Sequence, residues 1–178
     1  MLYNTTMDGL TIREAGPEDC DRIIELIVQL AVYEKEDPSR VRITKEELIR
    51  DGFQASGHKW FECLVGEVAK TTSEGVSGEK TVIGYALFFH TYSTWNGRTI
   101  KIEDLYVEPA YRGKGYGTQL LKSVNEIALQ RGCARVHWNV LEWNKPAIDF
   151  YKKLGAEYSD EWRMCILHRP EMDQLNTK

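Results

Sequence analysis

No apolar run in this sequence approaches the roughly eighteen residues that a membrane-spanning helix requires. Residues 1–9 have neither a basic start nor an apolar core, so they read as a short disordered tail and not as a secretory signal. Excess positive charge is missing too. The 23 lysines and arginines are outnumbered by 27 aspartates and glutamates, and the formal charge of −4 argues against a nucleic-acid partner, because duplex binding needs clustered cations. Trp60, Trp95, Trp138, Trp143 and Trp162 are not interleaved with a basic patch, so they are read as core or interface fillers and not as a base-stacking surface. The 4 cysteines, Cys20, Cys63, Cys133 and Cys165, include no Cys-x-x-Cys pair and lie beside apolar runs. They predict buried free thiols in a reducing, cytoplasmic compartment, not disulfides or zinc ligands. His58, His90, His137 and His168 have no metal-ligand spacing, and no metal is expected. There is no internal repeat and no linker.

The 178 residues, 42% hydrophobic and 28% charged, are enough for one domain with a substantial core. A short strand is expected at residues 10–14, and Gly16-Pro17-Glu18-Asp19 has the proline and acids that open a helix. That helix runs to about Glu34, with Ile23, Ile27, Leu30 and Ala31 on its core face. Thr44-Lys45-Glu46-Glu47 is a capping box that opens a second helix ending near Gly52. Strand character follows at residues 60–68 and 82–92, separated by a Gly/Ser/Thr-rich stretch, 71–80, that predicts a flexible hairpin loop. Asn96-Gly97 turns the second of these into a strand at residues 98–107. Leu120, Leu121, Val124, Ile127 and Ala128 form the apolar stripe of a further helix. The strand expected beyond it, residues 136–141, should then run parallel to 98–107. A helix at 144–154 ended by Gly155, and a last strand at 162–167, complete the pattern.

The residues most suggestive of chemistry are Tyr111-Arg112-Gly113-Lys114-Gly115-Tyr116-Gly117-Thr118, between a strand and a helix. Alternate glycines let the main chain approach a ligand, and the helix behind them directs unpaired N–H groups and a positive dipole end at the same place. That combination suits a phosphate, and Arg112 and Lys114 add two cations. A Walker loop is excluded because no Gly-x4-Gly-Lys-Ser/Thr occurs. A dinucleotide loop is excluded because Thr118 or Leu120 stands where its third glycine belongs.

What remains is Arg-x-x-Gly-x-Gly, which resembles the pyrophosphate loop of the GNAT N-acetyltransferases, enzymes that use acetyl-CoA. Glu103-Asp104-Leu105-Tyr106-Val107 before the loop, and Trp143-Asn144-Lys145-Pro146-Ala147 and Phe150-Tyr151-Lys152-Lys153-Leu154-Gly155-Ala156 after it, extend the likeness over most of the chain. Within the superfamily, Ala31-Val32-Tyr33-Glu34-Lys35, Asp51-Gly52-Phe53, Tyr92-Ser93-Thr94-Trp95-Asn96-Gly97-Arg98-Thr99-Ile100, Glu142-Trp143-Asn144 and Glu161-Trp162-Arg163 resemble the diamine acetyltransferases, and the Ser93–Thr99 run with Glu103-Asp104-Leu105-Tyr106-Val107 resembles the thialysine branch more than the polyamine branch. The resemblance implies an α/β (α+β) fold, a single GNAT-like domain at residues 10–170 with short tails at 1–9 and 171–178. Its sheet would be mixed and mostly antiparallel, with a central splayed parallel strand pair flanked by helices. It also implies a homodimer whose partners are a small-molecule amine and acetyl-CoA.

The resemblance assigns roles residue by residue. Main-chain groups of Leu105, Tyr106 and Val107 would pair with the pantetheine arm, and those of Arg112, Gly113, Lys114, Gly115, Tyr116, Gly117 and Thr118 would hold the pyrophosphate. Asn144 and Pro146 would add coenzyme contacts, and the Val107 N–H would polarise the thioester carbonyl. Tyr151 would protonate the leaving thiolate; an ordinary tyrosine pKa of about 10 keeps it protonated at neutral pH. Glu103 would accept the amine's proton, directly or through water. Regular alternation puts Glu103 and Asp104 on opposite faces of the strand, so only one of them would line the cleft, and the family likeness selects Glu103. Tyr33, Glu34, His137, Trp138 and Asn139 would contact the acceptor, with Asp160 or Glu161 marking its far end. Arg98, His137 or Arg163 could meet an amino-acid carboxylate. No cysteine occupies a catalytic position, which favours direct transfer over an acetyl-enzyme.

Overall fold

A computed structural model of the chain describes residues 3–7, 9–54, 57–72 and 75–176. The chain forms two compact units, Met1–Asn139 and Val140–Lys178. The larger is built on a six-stranded sheet of β1 (Asn4–Met7), β2 (Leu10–Glu14), β3 (Glu62–Thr72), β4 (Gly75–Ser93), β5 (Gly97–Val107) and β6 (Arg135–His137), in that spatial order. Successive strands from β1 to β5 pair antiparallel, whereas β5 and β6 pair parallel because a helical crossover joins them. The sheet is therefore mixed and mostly antiparallel, as expected. β1 corrects the reading of residues 1–9 as a disordered tail: Asn4 lies opposite Arg13 and Met7 opposite Leu10, so this stretch adds an edge strand.

α1 (Cys20–Tyr33) follows a single 3-10 turn at Pro17–Asp19. Its Cys20, Ile23 and Leu26 are buried with Leu48, Cys63, Val65, Tyr85 and Tyr106, which forms the core layer on the α1 face of the sheet. The expected capping box is present: the Glu47 N–H donates to Thr44 Oγ1 at 3.2 Å and the Thr44 N–H to Glu47 Oε2 at 3.0 Å. α2 (Lys45–Leu48) is nevertheless short and widens into a π turn at Ile49–Phe53. α3 (Tyr116–Gln130) buries Leu120, Leu121, Val124, Ile127 and Ala128, the full stripe read from the sequence. The stretch 71–80, read as a loop, is largely hairpin: Thr71 pairs with Val76 and Thr72 with Gly75, while residues 73 and 74 lie outside the described residues. Its Gly/Ser content obscured the β-branched threonine and valine that pair there.

The smaller unit contains α4 (Lys145–Lys153) and α5 (Arg169–Leu175); the second replaces most of the expected carboxy-terminal tail. Residues 162–167, expected as a strand, have no regular structure and are exposed. Strand-prone side chains form a strand only against a partner ladder, and no described residue pairs with these. β6 also stops at His137, short of the expected Leu141. Cys20 and Cys63 are buried free thiols as expected, but Cys133 is half-buried and Cys165 exposed. No helix among the described residues is long and apolar enough to cross a membrane.

Candidate active site

The chain leaves β5 through a 3-10 turn, Pro109–Tyr111, and enters α3 at Gly115. Gly113 and Gly115 have φ of +78° and +81°, the left-handed region that costs any other L-residue roughly 1 kcal/mol or more. No side chain caps α3, so the first N–H groups of the helix, on Tyr116, Gly117 and Thr118, have neither an intrahelical partner nor a side-chain cap. A Cβ at Gly117 would meet nothing closer than Val107 Cγ2 at 4.0 Å, leaving an open face beside the end of β5. The loop therefore fits a diphosphate through its main chain.

Its two cations lie against aromatic rings. Arg112 Nε donates to the Val107 carbonyl at 2.8 Å, and the guanidinium lies 4.5 Å from the Tyr33 ring centre and 5.2 Å from that of Tyr106. Lys114 Nζ lies 5.4 Å from the Tyr111 ring centre. Arg112 is thus directed toward α1 and the end of β5.

β5 carries the acids. Leu87 pairs with Asp104 but Phe88 pairs with Ile102, so Glu103 is the extra residue of a β-bulge. A bulge breaks the period of two. Glu103 shares a face with Lys101, to which it is ion-paired at 2.8 Å, and Lys101 Nζ also stands 5.6 Å from the Phe89 ring centre. Asp104 falls on that same face and accepts a 2.8 Å hydrogen bond from the Tyr85 hydroxyl, with Leu87 and Tyr106 as its neighbours. The expectation of opposite faces is therefore corrected: the bulge puts both acids on the α1 side. Burial, and then the Glu103 charge, push the Asp104 carboxyl above its ordinary pKa, against the opposing Tyr85 hydrogen bond. Glu34, at the carboxy end of α1, is pushed up by burial and by Asp104. Tyr85 is fully buried and its hydroxyl is held far above its ordinary range by burial and then by the Asp104 charge.

The structure thus brings together Tyr33, Glu34, Glu103, Tyr106 and Arg112 from the expected set, and adds Asp104 and Tyr85. Tyr85 was readable in principle: a tyrosine inside an apolar strand needs a partner for its hydroxyl. His137 Nε2 lies 3.1 Å from Thr91 Oγ1, which shares a 2.6 Å hydrogen bond with Thr99. Burial, with Arg135 and Lys101, pulls the His137 pKa down. Trp138 and Asn139 follow β6 without regular structure. The parallel ladder ends at Lys101 opposite His137 although β5 continues to Val107. Residues 102–107, including Leu105, Tyr106 and Val107, therefore have no strand of the sheet on that edge among the described residues.

In the smaller unit, the Asn144 side chain accepts from the Ala147 N–H at 3.4 Å and caps α4, with Pro146 in its first turn. Tyr151 sits on α4, half-buried, its ring centre 5.1 Å from that of Phe150. Asp160 and Glu161 are exposed on irregular chain.

Residues 31–156 match the acetyltransferase (GNAT) family. The chain is 45% identical over 151 residues to thialysine N-epsilon-acetyltransferase of Bos taurus, covering 85% of this chain and 86% of that protein. It is 36% identical over 174 residues to spermidine/spermine N(1)-acetyltransferase-like protein 1 of Homo sapiens, covering 96% of this chain and 24% of that longer protein. Among solved structures, an integron cassette protein from the mobile metagenome of V. cholerae superposes with a TM-score of 0.70 at 20% identity, over 97% of this chain and all of that one, and speaks to the fold alone. The glycine loop, the bulged acidic strand and these matches lead to one conclusion: the chain belongs to the GNAT family and is an acetyl-CoA-dependent N-acetyltransferase.

Proposed function

We propose that the acceptor is the side-chain amine of a small lysine-like amino acid, thialysine first, and that transfer is direct. The observation that carries this reading is the acidic face made by Glu34, Glu103 and Asp104, which suits a compact cation. The thialysine-acetylating relative points the same way. A polyamine is the second reading, favoured by the same acids and by the human relative that aligns with nearly the whole chain.

In this reading the N–H groups between Arg112 and Thr118 hold the diphosphate, and the open edge at Leu105, Tyr106 and Val107 pairs with the pantetheine arm as an added strand. The Val107 N–H polarises the thioester carbonyl. A lysine-like ammonium has a pKa of about 10.4, so freeing its lone pair at pH 7 costs roughly 4–5 kcal/mol. Glu103, directly or through water, takes that proton, and neighbouring Asp104 keeps the pair's combined charge suited to the cation. The amine nitrogen attacks the carbonyl carbon, the C–S bond breaks, and Tyr151 gives its proton to the departing thiolate. Asn144 and Pro146 contribute on the coenzyme side. Tyr33, His137, Trp138 and Asn139, with Glu161 or Asp160 at the far end, shape the acceptor side. A cytoplasmic homodimer is part of the proposal.

The test is free-thiol release from acetyl-CoA with thialysine, lysine, ornithine, spermidine and putrescine. The largest kcat/KM is expected with thialysine; a clear preference for spermidine would install the second reading. Coenzyme binding with no turnover of any amine would identify a non-catalytic binding module instead.

A further inference from the structure

The Arg112 side chain has a role that a phosphate-binding loop does not explain. One edge of the guanidinium donates from Nε to the Val107 carbonyl at 2.8 Å, and its face lies 4.5 Å from the Tyr33 ring centre and 5.2 Å from that of Tyr106. Tyr33 is the last residue of α1 and Glu34, of the acidic face, is the next in sequence. Val107 is the last residue of β5. A second set of bonds joins the same two elements. The Tyr106 hydroxyl donates to Gln29 Oε1 at 3.3 Å, Gln29 Nε2 donates to Glu108 Oε1 at 3.1 Å, and Arg22 pairs with Glu108 at 2.8 Å. The Glu108 N–H donates to the Ile83 carbonyl at 2.9 Å, tying this strand end to β4 as well.

We infer that Arg112 is a positioning residue: it ties the acceptor end of α1, through Tyr33, to the Val107 end of β5, and so fixes the acidic acceptor face relative to the main chain that meets the thioester. The inference rests on the proposed acetyl transfer. A planar, permanently charged guanidinium suits the task, because it stacks on aromatic faces and forms a directed N–H bond together, which an ammonium cannot do. The Arg22–Gln29–Glu108 bonds reach the same strand end from earlier turns of α1, so Arg112, over Tyr33, supplies the tie at the last residue of that helix, next to Glu34.

The roles of strut and phosphate ligand separate on measurement. For Arg112→Met, we expect kcat/KM for the amine at saturating acetyl-CoA to fall about tenfold or more, as misplacement of reacting groups by a fraction of an ångström does. Coenzyme A affinity measured by calorimetry should change less than about threefold, because main-chain N–H groups make the diphosphate contacts. Tyr33→Leu, which removes no charge, should reproduce the amine effect, Tyr33→Phe should restore it, and the Arg112→Met/Tyr33→Leu double variant should be no worse than either alone. Collapse of coenzyme affinity with unchanged amine parameters would make Arg112 a phosphate ligand and overturn the inference, as would independent effects of the two positions. If the unaltered protein binds coenzyme but acetylates nothing, the proposed function fails instead. The strut is then judged by coupling between Arg112→Met and Tyr33→Leu in the thermal unfolding midpoint, where strict additivity would reject it.

Discussion

At the scale of single residues, the acids of β5 and the tyrosine of α4 hold the roles of the proposed mechanism and allow its sharpest tests. Tyr151→Phe removes the proposed proton donor while keeping the ring. Turnover should fall by about a hundredfold, the low end of general acid catalysis, with coenzyme affinity unchanged; equal turnover would dismiss Tyr151 from the role. Glu103→Gln should depress the rate at neutral pH and reshape the acid limb of the pH–rate profile, and an unaltered profile would transfer the base to another group. Asp104 is that other group by environment, since burial has already raised its affinity for a proton. The same shift has a sign in stability. A carboxyl whose folded pKa exceeds its unfolded value binds its proton more tightly when folded, so stability is lost as pH rises from the ordinary carboxylate value through the raised one. Asp104→Asn, which keeps an acceptor for the Tyr85 hydroxyl, should therefore gain thermal midpoint relative to the parent at pH 8 more than at pH 4. The reverse trend would show that Asp104 is stabilised as the anion.

Elements differ in how plainly the chain announces them. The stripe on α3 and the capping box of α2 depend on neighbours within one or two turns, and both were readable in advance. The loop before α3 is equally local: Gly113 and Gly115 hold dihedrals that side chains resist. Gly115→Ala should cost about 1 kcal/mol, a drop of roughly 2–4 °C in midpoint for a chain of this size, and weaken coenzyme binding as the N–H groups turn away. An alanine variant with full affinity would detach the ligand from this loop. Strand 162–167 failed as an expectation for the opposite reason, because its existence depends on a ladder partner far along the chain, which propensity does not supply. The bulge at Glu103 belongs to the same class. Residues 100–103 alternate apolar and polar and Asp104 breaks that pattern, but only the register with β4 shows that the break is one residue too many.

For the whole molecule, occupancy of the loop should stabilise the fold. A ligand that binds only the folded state adds about 2.7 kcal/mol at a hundred times its dissociation constant, which corresponds to roughly 5–10 °C in midpoint. Coenzyme A at that ratio should produce such a shift, and none at millimolar concentration would remove the donor from the account. The amino-acid order alone determined the glycine loop, helices α1, α3 and α4, the capping box of α2, the strand that feeds the loop, and through the motifs the chemistry of acetyl transfer, because each is written in residues close along the chain. Folding decided that Glu103 and Asp104 share a face, that Tyr85 holds Asp104, and that Arg112 lies over the Tyr33 ring. Those facts depend on residues brought together from distant segments, where strand register and packing, not local spacing, set which side chains meet.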